Sequence, residues 1–502
     1  MALVLIGTVV TFDGDQPLIE DGAVYIDGQT IVDVRPATDP PPAGLGTFER
    51  IRTDGFIYPG LIDLHNHLGY NFRSLWFPPS DEPYATRDQW PRAATYGAEI
   101  TQPAKVLFKV AAKSVLKFAE TKAVVGGVTA IQGSPGLSRP YEGWMVRNID
   151  GETFGTGADL IRQSVINLGV DDLKVKADDM RAGKDFIYHL AEGADPGLID
   201  EFDDVQAATG LQSRLVAIHA TALGAPQFET WAAGGNAGAI VWSPFSNLWL
   251  YRCTTDVVAA RQHHLLLCLG ADWGPSGSKN VLGELKVADL WNRVALNGAF
   301  SDVELCEMVT SNPGDVLARA WGPRIGRIKK DLMADLVVMA RHRTDPFRNL
   351  IEGTERHVQL VLVGGRAVYG NRSLMTAAGA LSPEPISVAG IERAISMVDP
   401  AIPDANMSWP EVLGALESAR ADPAGAFQIA IAGPLPGEEP LELLPDMPEP
   451  EGTEGIVSIA DAGAVTIPPI DSIYHDAAFL RNLLADRAKI LDSKLEGLDA
   501  YY

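Results

Sequence analysis

The stretch that decides the fold is Pro59-Gly-Leu-Ile-Asp-Leu-His65-Asn-His67, a short apolar run that leads directly into two histidines. Such a run is typical of a strand buried on both faces, as in a parallel sheet. Residues i and i+2 point to the same side of a strand, so His65 and His67 could reach one cation together. The alternative is two polar residues at an exposed strand end.

Downstream of this stretch, helical patterns separate short apolar runs as far as about residue 325. The predicted strands are Val128–Gly133, Asp185–His189, Leu215–His219, Ala239–Ser243 and Leu265–Asp272, and the clearest predicted helices are Ala104–Val124 and Glu284–Ala295. Alternating strands and helices over roughly 250 residues predict an α/β fold with a (β/α)8 TIM barrel at 58–325. A doubly wound sheet is the alternative, but no Gly-rich dinucleotide loop follows the first strand.

The barrel is flanked by two regions that read as short strands joined by turns, at 1–57 and 326–375. Leu3–Phe12 is rich in β-branched residues, and Val358–Val363 is a continuous apolar run. We expect both flanks to form one small composite β-sandwich domain, because neither set of strands can bury its apolar side chains alone.

The C-terminal extension, 376–502, has a different composition. Residues 421–480 contain eleven acids and no Lys or Arg, and Pro434–Pro450 holds six prolines, which predicts an irregular crossover. Ser472–Leu498 is predicted to be an amphipathic helix. The extension either covers the active site or forms an oligomer contact. Its acidity is interpreted as a property of the tail that says little about the pocket.

Composition excludes several classes of protein. The 41 Lys+Arg against 65 Asp+Glu give a net charge of −24, which argues against nucleic-acid or membrane-surface partners. Three cysteines exclude a disulfide scaffold. No apolar run approaches the roughly 18 residues of a membrane span, and the apolar start lacks a basic signal-peptide region. We therefore expect a cytoplasmic protein.

Four of the nine histidines, and one aspartate, fall at the ends of predicted strands, which is the catalytic face of a barrel. Besides the first pair they are His189, His219 and Asp272. His189 could equally be a core residue, but Glu192 follows it at an offset that suits a proton shuttle. Asp272 could instead cap the next helix or pair with Lys279.

Taken in order, these pieces resemble the amidohydrolase superfamily, and within it the aminohydrolase-type branch of cytosine, guanine and adenosylhomocysteine deaminases and triazine hydrolases. The resemblance covers about residues 1–375. It rests on Pro-Gly-Leu-Ile-Asp-Leu-His-Asn-His, His189-Leu-Ala-Glu192, His219, Ser243-Pro-Phe-Ser-Asn247, Leu-Gly-Ala-Asp272 and Ala334-Asp-Leu-Val-Val.

The resemblance implies one divalent metal per chain, with Zn2+ expected and Fe2+ or Mn2+ as alternatives, held by His65, His67, His189 and Asp272. It implies that Glu192 is the acid/base, that His219 orients the substrate and the water, and that Asp272 accepts a proton. Binuclear members carry a carboxylated lysine on the fourth strand, whereas residues 123–173 contain no lysine. We therefore expect a single metal.

The implied activity is that of an amidohydrolase-type enzyme, in which a metal-activated water cleaves a C–N bond, most simply by deaminating a nitrogen heterocycle. Hydrolysis of an amide, cyclic amide, urea or carbamate at the same site is the alternative. A non-catalytic scaffold is a third hypothesis, opposed by the complete residue set. The implied partner is a small-molecule substrate, and a homo-oligomer is expected.

Four residues are candidate substrate contacts: Trp242, Asn247, Trp273 and Arg147. Trp273 stands where the deaminases often have a small polar residue, so its indole should narrow the pocket. Trp242 is either a pocket aromatic or a core aromatic, with the two readings equally weighted. Arg147 and Asn247 are placed only by their positions near predicted strand ends.

Overall fold

The computed structural model describes residues 2–433, 440–447, 458–487, 491 and 494–502, which form nineteen strands and sixteen α-helices. The strands are β1 (Ala2–Val10), β2 (Leu18–Asp27), β3 (Thr30–Pro36), β4 (Glu49–Pro59), β5 (Leu61–Asp63), β6 (Val128–Ile131), β7 (Gly136–Leu137), β8 (Arg147–Asn148), β9 (Ile161–Ser164), β10 (Asp185–Leu190), β11 (Leu215–His219), β12 (Ala239–Trp242), β13 (Leu266–Leu269), β14 (Leu336–Met339), β15 (Val358–Val363), β16 (Arg366–Gly370), β17 (Glu384–Val388), β18 (Ile391–Ile395) and β19 (Leu443–Leu444).

The α-helices are α1 (Gln102–Val110), α2 (Ala112–Val125), α3 (Val170–Arg181), α4 (Ile199–Ala207), α5 (Ala225–Ala232), α6 (Pro244–Tyr251), α7 (Val257–Gln262), α8 (Val281–Val294), α9 (Asp302–Glu307), α10 (Ser311–Trp321), α11 (Pro346–Ile351), α12 (Arg372–Ala377), α13 (Trp409–Ala421), α14 (Pro423–Ile431), α15 (Ile459–Ala464) and α16 (Ala477–Arg487). Among the described helices, none combines the length and hydrophobicity that crossing a membrane requires.

The two flanks and the start of the extension form one nine-stranded sheet, in the order β17-β18-β16-β15-β14-β4-β1-β2-β3. Strands of both flanks therefore pair within one hydrogen-bonded sheet, and the β-sandwich stays a prediction. Strand β4 runs parallel to β1 and antiparallel to β14, so it joins the N-terminal and C-terminal sets edge to edge. The sheet continues past residue 375, because β17 and β18 add to it as far as Ile395.

Eight parallel strands occupy the middle of the chain, and they pair as two sheets. One holds β5, β6 and β8, and the other holds β9 to β13 in chain order. An isolated parallel bridge between Asn66 and Asp272 links the chain after β5 to the chain after β13. The α/β class predicted from the sequence is confirmed, and the carboxyl ends of these strands carry the predicted site residues.

The long helix predicted at Ala104–Val124 is divided into α1 and α2. Ala111 lies between them with φ −144° and ψ 30°, a conformation outside the helical region. Buried apolar side chains from both helices, such as Val106 and Val115, join the largest hydrophobic cluster of the described residues. The break therefore interrupts the helix without removing either part from the core.

The C-terminal extension packs on the rest of the molecule. The ring of Trp409, at the start of α13, stacks on Phe118 of α2 with centroids 5.9 Å apart. The terminal helix α16 begins at Ala477, later than predicted, and Asp476 just before it accepts a hydrogen bond from the Ala478 amide (2.7 Å). Of the predicted crossover and helix, residues 434–439, 448–450, 488–490 and 492–493 lie outside the described residues.

Candidate metal centre

The predicted site residues come together at the carboxyl ends of four parallel strands. His65 and His67 follow β5, His189 is the second-last residue of β10, and His219 is the final residue of β11. Asp272 comes shortly after β13 and is bridged to Asn66. All five side chains are buried.

A glycine before Asp272 allows this close approach. A Cβ atom on Gly270 would lie only 2.4 Å from the Cβ of His65, so the chain after β13 can pass His65 only without a side chain there. His219 and Asp272 have φ values of 63° and 65°. Such values are uncommon for residues with a side chain, and the backbone strain that they cause is often found at functional sites.

The imidazole and carboxylate atoms converge as ligands of one ion would. The Nε2 atoms of His65 and His189 lie 3.1 Å apart. The Oδ1 atom of Asp272 lies 3.3 Å from Nε2 of His65 and 3.7 Å from Nε2 of His67. Donors at 2.0–2.1 Å from a tetrahedral Zn2+ stand about 3.3 Å apart, close to these three distances. The donor atoms of His65, His67 and His189 lie within 4.8 Å of one another, and so do those of His65, His219 and Asp272.

The electrostatics favour neutral imidazoles at most of these positions. Burial, with smaller contributions from neighbouring histidines, lowers the pKa of His65 and of His189 well below the usual value. Burial also lowers the pKa of His219 to about 4, although Glu192 opposes the shift. Neutral imidazoles present the lone pairs that a metal needs.

His67 and Asp272 are biased in the opposite direction. Burial by itself would lower the pKa of His67, but Asp446 and Asp272 beside it raise that pKa overall. Burial raises the pKa of Asp272 to about 7, with His67 opposing the shift. These two groups therefore attract positive charge, which a divalent cation would supply.

His219 is oriented by a chain of hydrogen bonds from the core. The Trp242 indole donates to Thr254 Oγ1 (2.6 Å), and Thr254 donates to Asn247 Oδ1 (3.2 Å). The Asn247 amide in turn donates to Nδ1 of His219 (2.8 Å). Since Nδ1 accepts, the proton of this imidazole sits on Nε2, which lies 3.6 Å from Oε1 of Glu192.

Glu192 is held by hydrogen bonds that involve Tyr251 of α6 and Trp90, which lies between β5 and α1. The Tyr251 hydroxyl donates to Oε1 of Glu192 at 2.6 Å and accepts from the indole of Trp90 at 3.0 Å. Asn247 and Tyr251 are four residues apart, so one face of α6 serves both His219 and Glu192. The arrangement holds a carboxylate beside the cluster of metal donors.

The structure separates the four predicted substrate contacts. Trp273 lines the pocket, with its ring 6.1 Å from that of His67. Trp242 is a buried core aromatic and Asn247 stands behind His219, so neither lines the pocket. Arg147 makes two hydrogen bonds to Asp335 (2.8 and 2.9 Å) and holds β8 to the nine-stranded sheet, away from the site.

The structural alternatives for Asp272 do not apply. The cap of α8 is Asn280, whose side chain accepts from the Gly283 amide at 3.1 Å. Lys279 instead pairs with Asp471, at 2.5 Å. Asp272 is left to face the histidines.

Sequence reasoning missed several pocket residues. Arg87 donates to the carbonyl of His189 (2.8 Å) and lines the pocket together with Trp90. From the C-terminal extension, Asp446 lies 3.0 Å from Nδ1 of His67, and Met447 lines the pocket. Asp446 belongs to the acidic region 421–480, whose acidity we interpreted as saying little about the pocket, and no local sequence pattern distinguishes residues 446–447.

The pocket over the donor cluster is closed in this structure. Its lining residues are His67, Arg87, Trp90, Val165, His189, Glu192, His219, Leu250, Asp272, Trp273 and Met447. They enclose about 10 Å³ of free space, close to the minimum that one water molecule needs.

No protein-family model matches the chain, and no curated protein matches it either. Solved structures do match. One is an adenosine deaminase from Xanthomonas campestris with bound zinc, which is 18% identical, has a TM-score of 0.55, and covers 73% of this chain and 92% of its own. An atrazine chlorohydrolase from Arthrobacter aurescens TC1, complexed with zinc, is 17% identical with a TM-score of 0.55 and covers 73% and 95%. The guanine deaminase of E. coli is 16% identical with a TM-score of 0.55 and covers 74% and 100%.

The chain shares its fold with these enzymes.

Proposed function

We propose that the chain is a metal-dependent hydrolase that uses an activated water to cleave a C–N bond, by deaminating a nitrogen heterocycle or a related small molecule. The observation that carries the proposal is a cluster of three imidazoles and one carboxylate beside the buried pair of Glu192 and His219. Within it, Nε2 of His65 lies 3.1 Å from Nε2 of His189, and Oδ1 of Asp272 lies 3.3 and 3.7 Å from Nε2 of His65 and of His67. The solved structures with this fold support it, since two of them hold zinc and two are deaminases by description.

The proposed ligands are His65, His67, His189 and Asp272. A bound divalent metal would lower the pKa of a water molecule into the neutral range and so supply a nucleophile at pH 7. Zn2+ suits a donor set of three imidazoles and one carboxylate, with Fe2+ or Mn2+ as alternatives.

The remaining steps belong to side chains of this chain. Asp272 accepts the proton that the attacking water loses, and Glu192 takes over this same proton and delivers it to the nitrogen that leaves, so both carboxylates end as they began. His219, protonated at Nε2, donates a hydrogen bond to the substrate atom on which negative charge develops. A C–O bond forms, the C–N bond breaks, and the nitrogen departs as ammonia or an amine with the proton from Glu192.

Two finer features are part of the proposal. We take the eight parallel strands as the (β/α)8 barrel predicted from the sequence, closed through the bridge at Asn66 and Asp272. We also propose one metal per chain. The strand beside β10 is β9, with the sequence Ile161-Arg-Gln-Ser164, and it offers no lysine to bridge a second ion. A homo-oligomer and a cytoplasmic location stay predictions of the sequence.

The test is a substrate panel with metal-loaded protein, read by mass spectrometry. Purines, pyrimidines, triazines, cyclic amides and ureas are incubated, and ammonia, amine, chloride and ring-opened products are measured. Release of ammonia or an amine from a heterocycle is the expected result. A ring-opened or cleaved-amide product would assign the alternative hydrolysis. A protein that binds no divalent metal would contradict the proposal.

A further inference from the structure

We propose that Asp446, a residue of the C-terminal extension, is a positioning residue for the metal ligand His67. The inference rests on the proposed metal centre and assigns a part of it to a region that the sequence motifs do not reach. Asp446 and His67 are 379 residues apart in the chain, and Oδ2 of Asp446 lies 3.0 Å from Nδ1 of His67. Their side chains are 11% and 2% exposed, respectively.

The hydrogen bond decides which nitrogen of His67 is free for a metal. An ionised carboxylate can only accept, so Nδ1 of His67 carries the proton and donates it. Nε2 then offers its lone pair on the side that faces Oδ1 of Asp272, 3.7 Å away. A carboxylate that accepts from the distal nitrogen of a ligating histidine orients the ring and makes it a stronger ligand.

Contacts that do not involve His67 hold Asp446 in this position. Strand β19 pairs antiparallel with β7, with Leu444 opposite Gly136. Ser138 donates from its backbone amide to the Glu442 carbonyl at 3.0 Å, and its hydroxyl accepts from the Glu442 amide at 2.8 Å. The Glu442 side chain pairs with Lys109 of α1. The segment 440–447 is thus a built element, which places Asp446 over the metal donors.

The charge of Asp446 has no lysine or arginine to balance it among the described residues. Its ion-pair partner there is His67, and its Oδ1 is buried without a hydrogen-bond partner in the described part of the chain. Asp150 lies near enough for their like charges to repel. A buried carboxylate is costly without a cation beside it. The imidazole of His67, joined to a divalent ion, would compensate this cost.

The other histidines with assigned outer partners have neutral ones. Nδ1 of His65 lies 2.9 Å from the Ser243 hydroxyl, and His219 is held by the amide of Asn247. Asp446 therefore supplies the charged outer contact among these three. Loss of Asp446 should therefore lower the affinity for the metal, and not only weaken the packing of segment 440–447.

The experiment compares metal binding by the full-length protein and three variants, with zinc competed by a chromophoric chelator. Asp446→Ala removes the acceptor, and we expect a 10- to 100-fold loss of zinc affinity, the usual range for such contacts. Asp446→Asn keeps an acceptor oxygen without the charge, so its affinity should lie between those of wild type and Asp446→Ala. The control is Glu417→Gln, which removes an exposed carboxylate of α13 that pairs with Arg420 and should not change the affinity.

A spectroscopic readout separates positioning from general loosening. In Co2+-loaded protein, Asp446→Ala should shift the visible ligand-field bands, because the ring of His67 is reoriented, while Glu417→Gln leaves them in place. Zinc affinity and Co2+ spectra equal to wild type in both Asp446 variants would overturn the proposal. If wild-type protein binds no metal, the proposed function fails and this inference fails with it. Metal binding by the wild type that is insensitive to Asp446 would overturn this inference alone.

Discussion

The closed pocket predicts that segment 440–447 must move before a substrate can reach the metal donors. About 10 Å³ is free among the lining residues, whereas pockets that hold a small organic ligand usually offer about 300 Å³ or more. Met447 forms part of the wall, and its segment is paired to the body of the protein through the two residues of β19. A covalent link between β19 and β7 should therefore keep the pocket shut.

The structure indicates where such a link fits. A Cβ atom on Gly136 would lie 3.2 Å from the Cβ of Leu444, a few tenths of an ångström below the roughly 3.5–4.5 Å of a disulfide. Both residues are exposed. The φ of Gly136 is not positive, so its backbone can accept a residue with a side chain. The double variant Gly136→Cys/Leu444→Cys should accordingly oxidise with a small local adjustment. The native Cys268 and Cys306 are buried and Cys253 is partly so.

The volume of the closed pocket sets the loss of activity that we expect on oxidation. Since nothing larger than a water molecule fits the closed pocket, residual activity in the oxidised protein should equal the fraction of chains that still carry free thiols. Extraction of zinc by a chelator should slow in the same proportion, a readout that needs no known substrate. Reduction should restore both rates in the same sample.

Two controls accompany the cross-linked protein. The single variant Leu444→Cys, treated with the same oxidant, reports any pairing with Cys253, and the reduced double variant reports the cost of the substitutions. Fully cross-linked protein that turns over substrate and releases zinc at the rates of its reduced form would show that access does not depend on this segment. Another part of the wall would then have to open.

Three further predictions concern single side chains. Glu192→Gln should retain zinc but lower kcat by roughly 10²- to 10⁴-fold, the range for a lost acid/base; kcat near wild type would remove Glu192 from that role. Tyr251→Phe deletes the 2.6 Å bond to Glu192 and should lower kcat by about 10-fold or more, with zinc content unchanged, since bonds to charged groups contribute about 1.5–3 kcal/mol; an unchanged kcat would contradict this. Asp471→Asn leaves Lys122 and Lys279 without their shared carboxylate, at 2.7 and 2.5 Å, and should cost about 3–5 kcal/mol in urea unfolding. Burial lowers the pKa of Lys122 to about 8 although Asp471 opposes the shift, and loss of Asp471 lowers this pKa further. The variant and the wild type therefore differ in the charge of Lys122 below about pH 8, so the loss should shrink as the pH rises toward 8; a loss independent of pH would contradict the assignment.

The strand-end residues of the site could be predicted from the sequence because their signal is local. His189 and His219 each close an apolar run, and the carboxyl ends of parallel strands meet at one edge. The same local rule misplaced Arg147, which also stands at a strand end. Its bidentate partner, Asp335, is 188 residues away, and a pairing of that range leaves no trace in nearby sequence.

The pairing of the two flanks could not be predicted for a related reason. Hydrophobic patterns show that Leu3–Phe12 and Val358–Val363 are strands, but they do not show which edges meet. Strand β4 pairs with a strand from each end of the chain, and this double pairing joins the two flanks in one hydrogen-bonded sheet. Register and partner choice depend on contacts across the whole chain, which single-sequence periodicity does not contain.

Asp446 is the residue of this site that the sequence could not identify. Eleven acids in 421–480 look alike in composition, and no periodicity sets one of them apart. In the structure Asp446 differs physically, because it is buried against an imidazole, lacks a lysine or arginine among the described residues, and leaves one oxygen without a partner. By contrast, Asp471 is buried between two lysines, which accounts for its charge without any ligand. A buried carboxylate whose charge only a bound cation would balance points to the metal, and its position in an extension without motifs explains why sequence patterns alone could not find it.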